Sequence, residues 1–182
     1  TTFQLHTYQR KGSSERVYVR PDTPANFNEV STNVETWFGT RGISQRTLED
    51  LNVSEGPEFM PQTSKEENTI KFNYMMGGEL INVKYRDGRK NFKLYKGAEK
   101  VFYNIDSIVG HSFCVITEGE IDCLSVSKIQ NNRYPVVSVP SGATSAKKYI
   151  KRESEWLAKF EPIVLIRNND DAGKQATIDC AQ

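Results

Sequence analysis

The sequence predicts a mixed α/β protein: a parallel βαβαβα core preceded by an antiparallel β-meander and short helices. Three observations carry this. Three short apolar, β-branched runs at 113–117, 135–139 and 162–167 alternate with helical patterns. Between 70 and 95, apolar and polar residues alternate with period two around Gly77-Gly78 and Asp87-Gly88. The 182 residues, 37% of them hydrophobic, suffice for one core, or for two small subdomains sharing one.

Residues 1–30 hold Pro21 and Pro24 and no sustained period. They read as an arm or linker, with one short strand at 16–20. Opening at Thr1 without Met, the chain reads as a piece of a longer protein. Helix 32–39 carries Val34, Trp37 and Phe38 on one side, and Gly42 follows as a left-handed terminator. Ser44 caps a second helix at 45–52 that buries Leu48 and Leu51. Residues 54–68 are polar, contain two prolines and read as a loop.

In the meander, Ile70, Phe72 and Tyr74 alternate with Lys71 and Asn73, then Ile81, Val83 and Tyr85 with Asn82, Lys84 and Arg86. Lys84 and Arg86 therefore share the face opposite the apolar residues. On a return strand from 89 to 95, Lys90 falls in phase with Phe92 and Leu94. The three later runs read as parallel strands buried on both faces, joined by right-handed crossovers. Ile121, Leu124 and Ile129 mark the first intervening helix. Ala146, Tyr149, Ile150, Leu157 and Phe160 mark a longer one, and another begins near Ala172. The expected division is an arm at 1–30, a subdomain of short helices and meander at 31–110, and the parallel unit at 111–182.

Net charge is +1, yet residues 71–100 hold eight Lys/Arg against three Asp/Glu. Such a basic block suits a polyanion, and it equally suits a solvated charged face. No apolar run approaches the ~18 residues of a membrane span, and no signal peptide opens the chain. Cys114, Cys123 and Cys180 form no C-x-x-C pair, which argues against a zinc ribbon in these residues. They read as small core residues of a protein in a reducing compartment. His6 and His111 read as surface or structural residues. Gly173-Lys174 lacks the rest of a P-loop, so no ATP-driven motor is expected here.

Chemistry in a parallel sheet gathers just beyond the carboxyl ends of its strands. Here those ends run into Glu118-Gly119-Glu120-Ile121-Asp122, Pro140-Ser141-Gly142-Ala143 and Asn168-Asn169-Asp170-Asp171-Ala172-Gly173. Carboxylates brought together repel unless a cation neutralises them, and hard oxygen ligands suit Mg2+ or Mn2+. Gly119, Gly142 and Gly173 let a phosphate or its metal approach the backbone. Acids at these places also favour helix N-termini. That bland role suits Glu120 and Asp171 better, whereas Glu118 and Asp170 follow apolar strands directly and read as functional.

Residues 113–122 (FCVITEGEID), 134–143 (YPVVSVPSGA) and 163–173 (IVLIRNNDDAG) resemble the catalytic signature of the Toprim fold. With 41–53 and 80–97, the chain resembles the primase half of phage primase-helicases and Twinkle-type proteins, over roughly 35–180. The resemblance implies template-directed synthesis of RNA primers on single-stranded DNA from ribonucleoside triphosphates, using Mg2+ or Mn2+. It implies catalytic roles for Glu118, Asp122 and Asp170, with Asn168 beside Glu118 and Asp170 at the metal. It places Lys84 and Lys90 along the nucleotide and template path, and Arg86, Arg89 and Lys93 accompany them. A replicative helicase domain or protein is the implied partner. The implied location is the cytoplasm of a bacterial or phage-infected cell, or an organelle for a Twinkle-type parent. Asn168 stands where the family's pattern has the first aspartate of D-x-D, which removes one negative charge from the metal site. The family's remaining Toprim strands and a further acid are expected beyond Gln182. Two other readings stay open: a Toprim nuclease or topoisomerase fragment, and a non-catalytic single-strand-binding module whose metal site has decayed.

Overall fold

The computed structural model describes residues 17–23 and 29–180. Most of the arm read at 1–30, together with His6, lies outside the described residues. Of the strand predicted at 16–20, residues 17–20 are described and carry no strand. Val19 N–H instead donates once to Gly97 O at 3.1 Å.

The two short helices form where their caps predict. Helix α1 (Thr32–Gly39) starts at Ser31, whose hydroxyl accepts from Val34 N–H at 3.4 Å. Phe38 is buried, and Val34 and Trp37 pack against the core. Gly42 has φ +72°, a conformation that costs glycine little. Helix α2 (Gln45–Asp50) is capped by Ser44 through Thr47 N–H and buries Leu48, with Leu51 buried just past its end.

Four antiparallel strands follow: β1 (Val53–Met60), β2 (Lys65–Met76), β3 (Glu79–Arg86) and β4 (Phe92–Leu94), in that spatial order. The loop expected at 54–68 is thus mostly strand. β1 lies at the sheet edge, where a proline and half-buried acids are tolerated, and Pro57 sits opposite Asn68. Its period-two signal is weak because one face meets water.

Register adds what a single strand could not show. Phe72 lies opposite Lys84, and Ile70 opposite Arg86. Residues directly opposite share a face. Lys84 and Arg86 therefore project from the same face as Ile70, Phe72 and Tyr74, the one packed against the rest of the protein.

The return strand begins at Phe92 rather than 89. Asp87 folds the turn: Oδ1 accepts from Arg89 N–H at 2.9 Å and Asn91 N–H at 2.8 Å, and Oδ2 from Asn91 Nδ2 at 2.8 Å. Lys90 has φ +66° and is exposed, so strand phase does not govern it.

A 3-10 helix (Ile105–Ile108) leads into β5 (Cys114–Thr117), α3 (Glu120–Ile129), β6 (Val136–Ser138), α4 (Ala143–Arg152), α5 (Ser154–Leu157), β7 (Ile163–Ile166) and α6 (Asp171–Cys180). The strand order is β6-β5-β7, and both pairings are parallel. β5 and β6 are buried on both faces. β7 is not: it forms the edge, and Ile163, Val164 and Ile166 are exposed. The long helix expected over 146–160 breaks at Glu153, while Tyr149, Leu157 and Phe160 keep their buried places. Ile129, read as part of a buried stripe, is 83% exposed at the end of α3.

The hydrophobic core crosses the expected division at 110/111. Phe38, Leu48, Phe72 and Tyr74 pack in one cluster with Val115, Leu124 and Val136. Tyr103 fastens the join: its hydroxyl donates to Leu51 O, and its backbone bridges Ser138. The two sheets thus hold each other in place, which gives the space between them a defined shape. Among the described residues, no helix is long and apolar enough to cross a membrane.

Candidate active site

Parallel strands end at one edge, and here that edge faces the antiparallel sheet across a cleft of about 740 Å3. One wall carries Phe72, Lys84, Phe92 and Leu94. The other carries Glu118, Asp122, Pro140, Ser141, Gly142 and Asn168. All three strand ends read from the sequence contribute to it.

Glu118 extends from the end of β5, the central strand. β7 is its neighbour, and this brings the loop after β7 alongside: Asn168 N–H donates to Glu118 Oε2 at 3.5 Å. Asp122 stands one turn into α3 on the same wall. Burial, then the Glu118 charge, raise its carboxyl above the ordinary range, although a hydrogen bond from Gly119 N–H pulls the other way. Gly119 is the N-cap of α3, and a β-carbon there would lie 3.3 Å from Asp122 Oδ2. Gly142, the N-cap of α4, has φ +74°.

Asp170 is placed differently from the other acids. Its Oδ1 accepts from Gly173 N–H at 2.7 Å, so one carboxylate oxygen caps α6. It lies just past Asn168 and is not among the cleft-lining residues. Gly173 allows that turn: a β-carbon there would meet Asn168 O at 2.1 Å.

The five basic residues read from the meander separate. Lys84 lines the cleft; its ammonium sits 2.8 and 3.0 Å from the two Glu120 oxygens, and 5.4 Å from the Phe92 ring centre. Arg86 lines a second cavity of about 540 Å3 with Trp37 and Asp87. Its guanidinium lies 4.7 Å from the Trp37 ring centre, and Arg41 lies 3.7 Å from the same ring. Burial, then the Arg41 charge, lower the Arg86 pKa. Arg89 and Lys90 are exposed on the turn. Lys93 borders the cleft, but its ammonium pairs with Glu58 at 2.5 Å and lies 5.1 Å from the Tyr85 ring centre.

Sequence reasoning set Glu120 aside as a helix-end acid. It is 4% exposed, accepts from Tyr74 Oη at 2.5 Å and pairs with Lys84. Its partners lie 36 and 46 positions away, so no local pattern could have revealed them. Cys114 and Cys123 are buried core thiols, as their bland reading has it. Burial pushes Cys114 up to about 12 and Cys123 upward too, which keeps both protonated and unreactive.

Among the described residues, no group of three or more His, Cys, Asp or Glu side chains converges as a ready cage for a metal. The cleft offers a sparser set: the carboxylates of Glu118 and Asp122, with Asn168 on the same wall. Burial first, and then the Glu118 charge, disfavour the Asp122 carboxylate, and a cation bound between them would relieve both. Two carboxylates, with water and substrate phosphates completing the shell, suit Mg2+ or Mn2+.

A parallel sheet that presents carboxylates and glycines at its strand ends, opposite a lysine-bearing antiparallel sheet, agrees with the Toprim resemblance of the sequence. Residues 115–182 match the Toprim-like family. The chain is 40% identical over 145 residues to a DNA helicase/primase of Enterobacteria phage T3, covering 78% of this chain and 24% of that protein. The crystal structure of the primase fragment of the bacteriophage T7 primase-helicase superposes with a TM-score of 0.69 at 26% identity, covering 96% of this chain and 69% of that one. A second T7 structure holds the lagging-strand DNA polymerase with primase domains of two gp4 subunits bound to an RNA/DNA hybrid and dTTP. It matches with a TM-score of 0.65 at 31% identity, over 79% of this chain and 71% of that one. The chain carries a Toprim domain and is homologous to the primase part of the phage T3 and T7 primase-helicases and to the Arabidopsis primase and Twinkle homologs. It spans 24% to 51% of the length of the curated relatives it matches.

Proposed function

We propose that the cleft is the nucleotidyl-transfer site of a DNA primase, which makes RNA primers on single-stranded DNA during replication. The observation that carries this is the meeting of Lys84, from the antiparallel sheet, with Glu118, Asp122 and Asn168, from the parallel sheet, across one cleft. The T3 relative named a helicase/primase and the T7 primase fragment support the same reading.

In the reaction, a ribose 3′ oxygen bonds to the α-phosphorus of an incoming ribonucleoside triphosphate, and pyrophosphate leaves. Glu118 and Asp122 would hold Mg2+ or Mn2+, with the Asn168 amide oxygen and the Asp170 oxygen not used by the cap as further donors. The ion, when bound, supplies charge neutralisation at the phosphates and activates the attacking oxygen. Lys84 places its ammonium against phosphate oxygens. Phe92, exposed at the cleft, offers apolar surface to a base or ribose and excludes water from that side. Gly142 and Gly119 leave room for phosphate near the backbone. Arg89 and Lys90, exposed on the turn, bind the template backbone through salt-sensitive contacts. Lys93, beside Glu58, adds positive charge at the border of the cleft, and the buried Arg86 lies beside Trp37 in the second cavity. A replicative helicase domain or protein works with it, in a bacterial or phage-infected cytoplasm or in an organelle.

The test is ribonucleotide incorporation on single-stranded DNA with Mg2+ or Mn2+. Wild-type synthesis that falls at least 100-fold in Glu118→Gln, with folding intact, fits the assignment. Synthesis unchanged by that substitution rejects it.

A second reading has its own observation. Asn168 lacks a charge and Asp170 spends an oxygen on a cap, which favours a single-strand-binding module without catalysis. It predicts salt-dependent binding that ignores EDTA, with no synthesis.

A further inference from the structure

Glu120 lies inside the cleft, yet its oxygens are already committed. Both accept from the Lys84 ammonium, at 3.0 and 2.8 Å, and Oε1 also accepts from the Tyr74 hydroxyl at 2.5 Å. A carboxylate has about four lone-pair sites, and three are used. Tyr74 is fully buried, and Glu120 is the acceptor of its hydroxyl. The Tyr74 ring lies 5.2 Å from the Tyr103 ring centre, and Tyr103 donates to Leu51 O. The acid is therefore tied to α3, β2 and β3 at once.

We propose that Glu120 and Tyr74 form a positioning pair that fixes the Lys84 ammonium against nucleotide phosphates, and that Glu120 is not a metal ligand. The proposal rests on the nucleotidyl-transfer reading of the cleft. A lysine is a point charge on a flexible stem, and holding it in one place before the ligand arrives lowers the ordering cost of binding. Glu120 supplies the hold from the wall opposite Lys84's own sheet, so the pair also spans the join between the sheets. Tyr74 points the carboxylate: its hydroxyl takes one lone pair and leaves both oxygens turned to the ammonium. Glu118 and Asp122, whose charges act on each other, remain the carboxylates available to a cation.

The test is a mutant cycle in the full chain with wild type, Lys84→Ala, Glu120→Gln, the double variant and Tyr74→Phe. Melting temperature and affinity for Mg-ATP are read for each, with KM and kcat of primer synthesis. Lys84→Ala leaves a buried carboxylate without its cation and lowers Tm by roughly 10 °C. Adding Glu120→Gln restores most of that loss. Glu120→Gln alone weakens ATP binding and raises KM by roughly 10- to 100-fold, and in the Lys84→Ala background it changes neither further. Tyr74→Phe moves affinity in the same direction by less. Equal losses from Glu120→Gln in both backgrounds overturn the proposal, as does a Tm change with ATP affinity unmoved. Wild type that binds ATP but makes no primer refutes the primase reading alone, because the affinity cycle still decides the pair.

Discussion

Gly173 lies so close to the loop after β7 that a β-carbon on it would sit 2.1 Å from the carbonyl oxygen of Asn168. The first turn of α6 thereby packs on the loop whose Asn168 N–H reaches Glu118 at the end of β5, while Asp170 caps that turn. From the sequence this glycine reads as room for a phosphate or its metal near the backbone. Here packing of backbone on backbone already requires it.

Gly173→Ala therefore forces α6 or the loop to move. Overpacking of this kind costs about 1–3 kcal/mol, visible as a lower Tm. Because the loop carries Asn168, primer synthesis falls by more than the stability loss explains. A thermal melt with an incorporation assay checks both, and a crystal structure of the variant shows whether the loop has shifted.

Asn168→Asp adds a third carboxylate to those of Glu118 and Asp122. Mn2+ affinity, read by isothermal titration, rises by about tenfold or more, since ligand charge sets divalent affinity. Synthesis at limiting metal rises with it. No gain in affinity means that Asn168 is not at the metal.

Arg86 and Lys84, two residues apart on β3, face different cavities. Arg86→Ala removes the guanidinium from between Trp37 and Phe92 and destabilises by about 1–3 kcal/mol through lost cation–π contact and packing. Its ATP affinity stays within about threefold of wild type, whereas single-strand binding weakens. A filter-binding series against salt, set beside an ATP titration, separates the two effects.

Asp87 ties the turn before β4. Burial would raise its pKa, but hydrogen bonds from Asn91 and Arg89 and the Arg89 charge outweigh that and hold it below the usual range. The sign follows: with a folded pKa under the unfolded value of ~3.9, its contribution is present at neutral pH. It fades as pH falls through the lowered folded value. Asp87→Ala is less stable than wild type by about 1–3 kcal/mol at pH 7, and the gap narrows below pH ~3.9. Urea unfolding of both proteins across pH measures it.

Much of this was legible in the chain. Ser31 and Ser44 announce their helices because capping is local chemistry, and three short apolar, β-branched runs announce β5, β6 and β7 because such residues favour strands. β1 escaped notice: its edge position lets Glu55, Glu58 and Pro57 stand in a strand. The exposure of β7 depends on which strand is central, a property of topology. Strand alternation placed Lys84 and Arg86 on one face correctly, yet could not show that this face turns inward, because that depends on the register with β2. Lys90 was out of phase only if a strand ran through it, and the Asp87 turn removes the conflict. Strand-end placement singles out Glu118 and Asp170, and the resemblance adds Asp122 and Asn168; Glu118, Asp122 and Asn168 line the cleft, whereas Asp170 does not, because one of its oxygens caps α6. The role of Glu120 was not legible, since it is defined by partners on two other strands.

The account turns on a divalent cation shared by the strand-end acids of this cleft. EPR-monitored titration of Mn2+ into the full chain with ATP present tests it most directly, comparing wild type with Glu118→Gln. The prediction is Mn2+ uptake by wild type, with affinity falling at least tenfold in Glu118→Gln while Tm holds. Equal Mn2+ uptake by both proteins would contradict it.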